Sequence, residues 1–132
     1  MLNLATYSLL ALIVGSATPA NDGQEGRDWP FKEVEYWCCG PQVYYVEVAS
    51  SGQIRFANKE VSLHQLRQHL STVHELNPPF YVVLNVVSKA SPVASRRVRQ
   101  VFDQAALCSE GFCVERKRWN AFWRKRGEVA PR

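Results

Sequence analysis

Three kinds of residue in this 132-residue chain could do chemistry: three histidines, four cysteines and a few neighbouring acids. His64, His69 and His74 fall at a spacing of five. On a helix each such step turns about 140°, so the three spread around the axis instead of converging. Zinc-binding helices place histidines at i and i+4, and exposed or capping side chains are the better reading here. Cys39 with a distant histidine has the makings of a thiol nucleophile, but an even cysteine count in an exported chain favours structural pairing. The paired acids Glu33 and Glu35 lie on one side of an extended segment with no acidic pocket to complete a catalytic site, and read as a solvated face. No serine occupies a nucleophile elbow and no glycine-rich phosphate loop occurs. The sequence predicts no catalytic, cofactor or metal site.

The cysteines are Cys38, Cys39, Cys108 and Cys113. Adjacent Cys38 and Cys39 would form a strained ring if paired with each other. Three patterns remain open: Cys108 with Cys113 alone, or Cys38 and Cys39 crossing to the later pair in either order. A tetrahedral zinc site usually needs a CxxC-type spacing, which these positions lack.

The net charge of +4 conceals an asymmetry. Nine of the sixteen basic residues and eleven of the twelve acidic ones precede residue 116, leaving that part at −2. Residues 116–132 hold the other seven basic residues and one Glu, and carry +6. Within this tail Arg116, Lys117, Arg118, Arg124, Lys125 and Arg126 flank Trp119, Phe122 and Trp123. On a helix those three rings share one face, with charge at either end. The tail has three uses: lying on an anionic membrane surface with its rings at headgroup depth, binding an acidic partner, or docking its aromatic face back on the body. Nucleic acid is the weaker reading, because export removes it and no reading motif accompanies the charge.

The elements that would position these groups are well marked. Residues 1–20 read as a signal peptide or short hydrophobic segment: an apolar run, too short for an ordinary membrane span, followed by small residues. The protein is therefore expected to be periplasmic or secreted, the alternative being an anchor over residues 2–17. Residues 21–42 form a linker or N-terminal arm, with Trp29-Pro30 leading into an extended approach. Residues 43–49 alternate as a half-buried strand, residues 50–53 are turn chemistry, and residues 54–57 complete a hairpin. Asn58-Lys59 turns the chain again. Ser62 and Gln65 match a capping box, and Leu63, Leu66, Leu70 and Val73 follow at helical spacing. Asn77-Pro78-Pro79 stops that helix, and residues 80–87 form an apolar central strand. Ser91 caps a second helix with Pro92 at its first position. The helix lines up Ala94, Val98, Val101, Phe102, Ala105 and Cys108, and Gly111 ends it in a left-handed cap. Residues 112–116 alternate as a last strand. The fold class predicted is α+β, a two-layer sandwich of a small mixed sheet with two helices on one face.

Residues 43–115 resemble the periplasmic domain of the ExbD/TolR proteins of bacterial energy-transducing motors. The residues that carry the likeness are Gly52 and Ile54; Asn58, Val61, Leu63 and Leu66; the strand from Tyr81 to Val86; Val98, Val101, Phe102 and Asp103; and Gly111. The resemblance implies a soluble domain that dimerises and engages periplasmic partners or cell wall. Family members in the motor also carry a membrane helix with an essential Asp. No Asp or Glu precedes Asp22 here, so proton coupling is not implied. Pro78-Pro79 replaces the family's acidic approach to the second helix, and the cysteines and the tail are additions.

Two functions follow. The first is a non-catalytic periplasmic interaction module. It would bind a protein or cell-envelope polymer through the tail or an edge strand, taken as residues 43–48 with Val43 and Tyr45, or residues 112–116. A homodimer through the same surface belongs to this reading. The second is a small secreted disulfide-containing inhibitor or effector whose basic tail meets an acidic target.

Overall fold

The computed structural model describes residues 29–34 and 42–131. The leader over residues 1–20, the start of the arm, and Cys38 and Cys39 lie outside the described residues.

Among the described residues nine elements follow in chain order: β1 (Val43–Val48), β2 (Ile54–Phe56), β3 (Lys59–Val61), α1 (Leu63–His74), β4 (Tyr81–Val86), α2 (Pro92–Gln104), α3 (Ala106–Ser109), β5 (Cys113–Glu115) and α4 (Arg116–Lys125). The strands form one sheet in the order β3-β2-β1-β4-β5. β1 runs antiparallel to β2 and parallel to β4, β4 parallel to β5, and β2 antiparallel to β3. This is the mixed-sheet α+β sandwich predicted, with α1 and α2 on what we term the front face.

Alternation decides what each face presents. In register, Val46, Leu84 and Phe56 fall on the front, as do Val48, Val86 and Ile54. They meet Leu66, Leu70 and Val73 of α1 and Val98, Val101 and Phe102 of α2, all buried. Both helices start as the sequence predicts. Ser62 Oγ accepts from Gln65 N–H at 3.1 Å while Gln65 Oε1 accepts from Ser62 N–H at 2.8 Å, satisfying two donors that the helix leaves orphaned. Ser91 Oγ accepts from Ala94 N–H at 3.3 Å, with Pro92 in the first turn.

Four expectations are corrected. The turn expected at Asn58-Lys59 lies one residue earlier, and Lys59 already begins β3. Its residues Lys59, Glu60 and Val61 lack an apolar alternation because they form an exposed edge, joined to β2 by a two-residue turn with Ala57 and Asn58 both at positive φ. The second helix does not continue to Cys108. Ala105 turns extended, and the separate turn α3 carries Leu107 and Cys108 inward, both fully buried. The disulfide joins Cys108 to Cys113, which excludes the two crossed patterns. Finally, β1 is the middle strand of the sheet and not an edge strand: residues 46–48 pair on both sides, while residues 43–45 pair in register with β4 alone.

The other expected edge, beside β5, is partly covered. Phe31 bridges Phe112, and Lys32 N–H donates to Gly111 O at 2.9 Å. Residues 29–34 cross this edge from front to back. Trp29 packs on Phe102 and donates from Nε1 to Asp103 Oδ1 at 2.6 Å, while Phe31 meets Trp119 and Phe122 behind the sheet. Gly111 sits at φ +101, the left-handed cap predicted. A Cβ there would also lie 2.8 Å from the Lys32 backbone nitrogen.

Candidate functional site

The tail is part of the folded body. α4 begins directly after β5 and lies on the back face across β4 and β5. Trp119 is fully buried and Trp123 nearly so, packed edge to face at 5.6 Å. Trp119 also meets Tyr81 at 5.4 Å and donates from Nε1 to the Tyr45 hydroxyl at 3.3 Å. Phe122 is half-buried against Phe31 at 5.3 Å. Of the three uses the sequence left open, docking of the aromatic face on the sheet is the arrangement found. The rings that would enter a membrane interface are already held by the protein.

The six cations of residues 116–126 divide accordingly. Arg118 and Arg126 brace the arm: Arg118 Nη1 donates to Trp29 O at 2.9 Å and Arg126 Nη1 to Val34 O at 3.0 Å. Each also lies over aromatic rings, Arg118 over Phe31 and Arg126 over Phe122 and Trp123. Arg116 sits over the Tyr45 ring at 5.4 Å. Lys117, Arg124 and Lys125 are exposed and have no ion-pair partner among the described residues. Positions 117, 121 and 124 form the stripe opposite Trp119, so the outer face of α4 is cationic around the small Ala121.

Beside α4 the back face opens into a groove of about 900 Å³. Its floor is a polar row across three strands, Arg55 opposite Glu47 and Glu47 opposite Asn85. One wall is the i, i+4, i+8 stripe Arg116, Asn120 and Arg124 of α4. Val43 and Tyr45, the expected binding residues of β1, line the groove on the half of the strand that pairs in register with β4 alone. The sequence reasoning missed Arg55, Asn85 and Asn120. The available signal was polar residues placed inside two apolar strands, Glu47 and Asn85, which register brings side by side.

The other chemistry-bearing residues do not gather. His64 is exposed, His69 stacks on Phe56 at 4.6 Å, and His74 Nε2 lies 2.9 Å from Glu110 Oε1. Glu33 is exposed, and Glu35 lies outside the described residues. Among the described residues there is no group of three or more metal-ligating side chains. In the same residues no helix is long and apolar enough to cross a membrane. Among the described residues the front face carries a half-buried charge pair, Arg99 with Glu115, joining α2 to the end of β5.

No protein-family model matches this chain, and no curated protein matches it in sequence.

Proposed function

We propose that this protein is a non-catalytic interaction module working outside the cytoplasm, and that it binds the carboxylate-rich surface of a protein or cell-envelope polymer through the outer face of α4. The observation that carries this reading is the division of labour on that helix. Its three rings turn inward, while Lys117, Arg124 and Lys125 face solvent without ion-pair partners among the described residues. Cations arranged this way steer and hold an acidic surface at little cost in desolvation. A Cys108–Cys113 disulfide suits an oxidising compartment. The order of hairpin, capped helix, parallel strand, helix and parallel strand supports kinship with the ExbD/TolR soluble domain, as do the turn at Gly52 (φ +90) and the left-handed Gly111.

Poly-glutamate in solution and isolated cell-wall sacculi in sedimentation provide the test. Binding to at least one is expected, weakening steeply between low and high salt as exposed charges are screened. The triple variant Lys117→Glu, Arg124→Glu, Lys125→Glu should lose it while keeping its near-ultraviolet tryptophan spectrum. Binding by that variant at the level of the parent would defeat the reading.

A further inference from the structure

Residues 127–131, after α4, stay against the body of the protein. Gly127, at φ +75, closes a Schellman turn in which Gly127 N–H donates to Arg124 O and Glu128 N–H to Trp123 O, both at 2.9 Å. The turn sends residues 128–131 back across the mouth of the groove. There the Tyr45 hydroxyl donates to the carbonyl oxygen of Pro131. Ala130 and Pro131 are half-buried, whereas Glu128 and Val129 are exposed, Val129 by 90%. The segment is thus held chiefly at its tip, through one main-chain carbonyl.

We infer that the back-face groove is a binding site for an extended acidic peptide, and that residues 128–131, which form part of its wall, restrict it in the absence of that partner. Three features fit this occupant. A phenolic hydroxyl already receives a peptide carbonyl. Asn85 and Asn120, on floor and wall, each offer a donor and an acceptor suited to peptide groups, and neither side chain is hydrogen-bonded among the described residues. Arg55, Arg116 and Arg124 surround the groove against the acids Glu47 and Glu128, so its excess charge is positive. Glu128 belongs to the resident segment, and its departure would make the groove more cationic. This site is distinct from the outer stripe of α4, although Arg124 borders both.

The full chain and a fluorescein-labelled peptide of alternating Glu and Val, three of each, provide the test by fluorescence anisotropy. Gly127→Val removes the left-handed turn; a side chain there has open space, so the substitution acts on the backbone alone. It should release the segment and raise affinity about fivefold or more by removing an internal competitor. Arg55→Ala and Asn120→Ala, neither of which touches the core, should each lower affinity about three- to tenfold, the scale of one lost polar contact. A peptide with Lys in place of Glu should not bind. Failure of the Gly127→Val variant to bind the acidic peptide would overturn the inference. So would binding that is insensitive to Arg55→Ala and Asn120→Ala but lost in Lys117→Glu, Lys125→Glu, since that result assigns the peptide to the outer stripe alone.

Discussion

The two faces of the sheet are built from different materials. The front is mainly aliphatic: valines and leucines of β1, β4, α1 and α2 pack around Phe56 and Phe102, and no fully buried polar or charged residue lies among them in the described residues. The back is aromatic and cationic. Tyr45, Tyr81, Trp119, Trp123 and Phe31 form its covered half, and the row Arg55, Glu47, Asn85 forms its open half. The polar tips of the rings differ from aliphatic groups in one important way. They hydrogen-bond to chain segments near both ends: Tyr81 donates to Lys32 O, and Tyr45 donates to Pro131 O while accepting from Trp119. Aliphatic groups can only pack, whereas rings with polar tips can pack and also hold segments that are able to let go, and on the back face such rings predominate. The difference places stability on both faces and recognition on one.

The comparison breaks first if the back face is mere decoration. Trp119→Ala should destabilise by about 3–5 kcal/mol, the range for removing a large buried aromatic. Leu66→Ala on the front should cost about 2–5 kcal/mol. Urea unfolding followed by tryptophan fluorescence checks both, and each variant should unfold in one transition. A midpoint for Trp119→Ala equal to the parent's would mean that α4 is not part of the cooperative unit.

The arm across the β5 edge ties the faces together, and Gly111 is where it approaches most closely. Gly111→Ala combines a strained φ with a Cβ 2.8 Å from the Lys32 backbone nitrogen. Destabilisation of about 3 kcal/mol is expected, with faster amide exchange at Lys32. Replacing both Cys108 and Cys113 by Ser should cost about 2 kcal/mol, the chain-entropy value for so short a loop. The same loss should appear on reduction of the parent. No change on reduction would show that the link constrains nothing beyond the packing of Leu107 and Phe112.

Much of the front face was legible in the sequence because its signals are local. The Ser62–Gln65 box, Ser91-Pro92, the stripe Leu66, Leu70, Val73 and the glycine stop each work within a few residues. β3 was not legible: a three-residue polar edge has no apolar alternation, and only its pairing with β2 defines it. The break at Ala105 was hidden because alanine favours helix, and the extended conformation serves the inward turn of Leu107 and Cys108. At Gly111 the left-handed φ could be anticipated but the approach of Lys32 could not, since that contact spans most of the chain. The candidate site was half legible. The tail announced its aromatic and basic faces, yet which cations would brace the arm and which would remain exposed depended on where residues 29–34 run. The groove was invisible because strand register assembles Arg55, Glu47 and Asn85 from three separate strands.

The smallest effect on stability sharpens the comparison most. Lys117 and Lys125 project from α4 away from the sheet and touch no ring or carboxylate among the described residues. Lys117→Glu with Lys125→Glu should therefore leave the urea midpoint unchanged within error, as expected for surface positions away from packing. Arg118→Ala and Arg126→Ala provide the contrast. They change the charge at α4 and its C-cap by less than the lysine reversals do, but each also loses a hydrogen bond to the arm and a contact over an aromatic ring. Those variants should lower the midpoint and have little effect on binding of poly-glutamate, while the lysine pair should do the reverse. Equal stability losses for all four positions would mean that the helix's charges act only by anchoring it, and the division of α4 into a bracing set and a binding set would have to be abandoned.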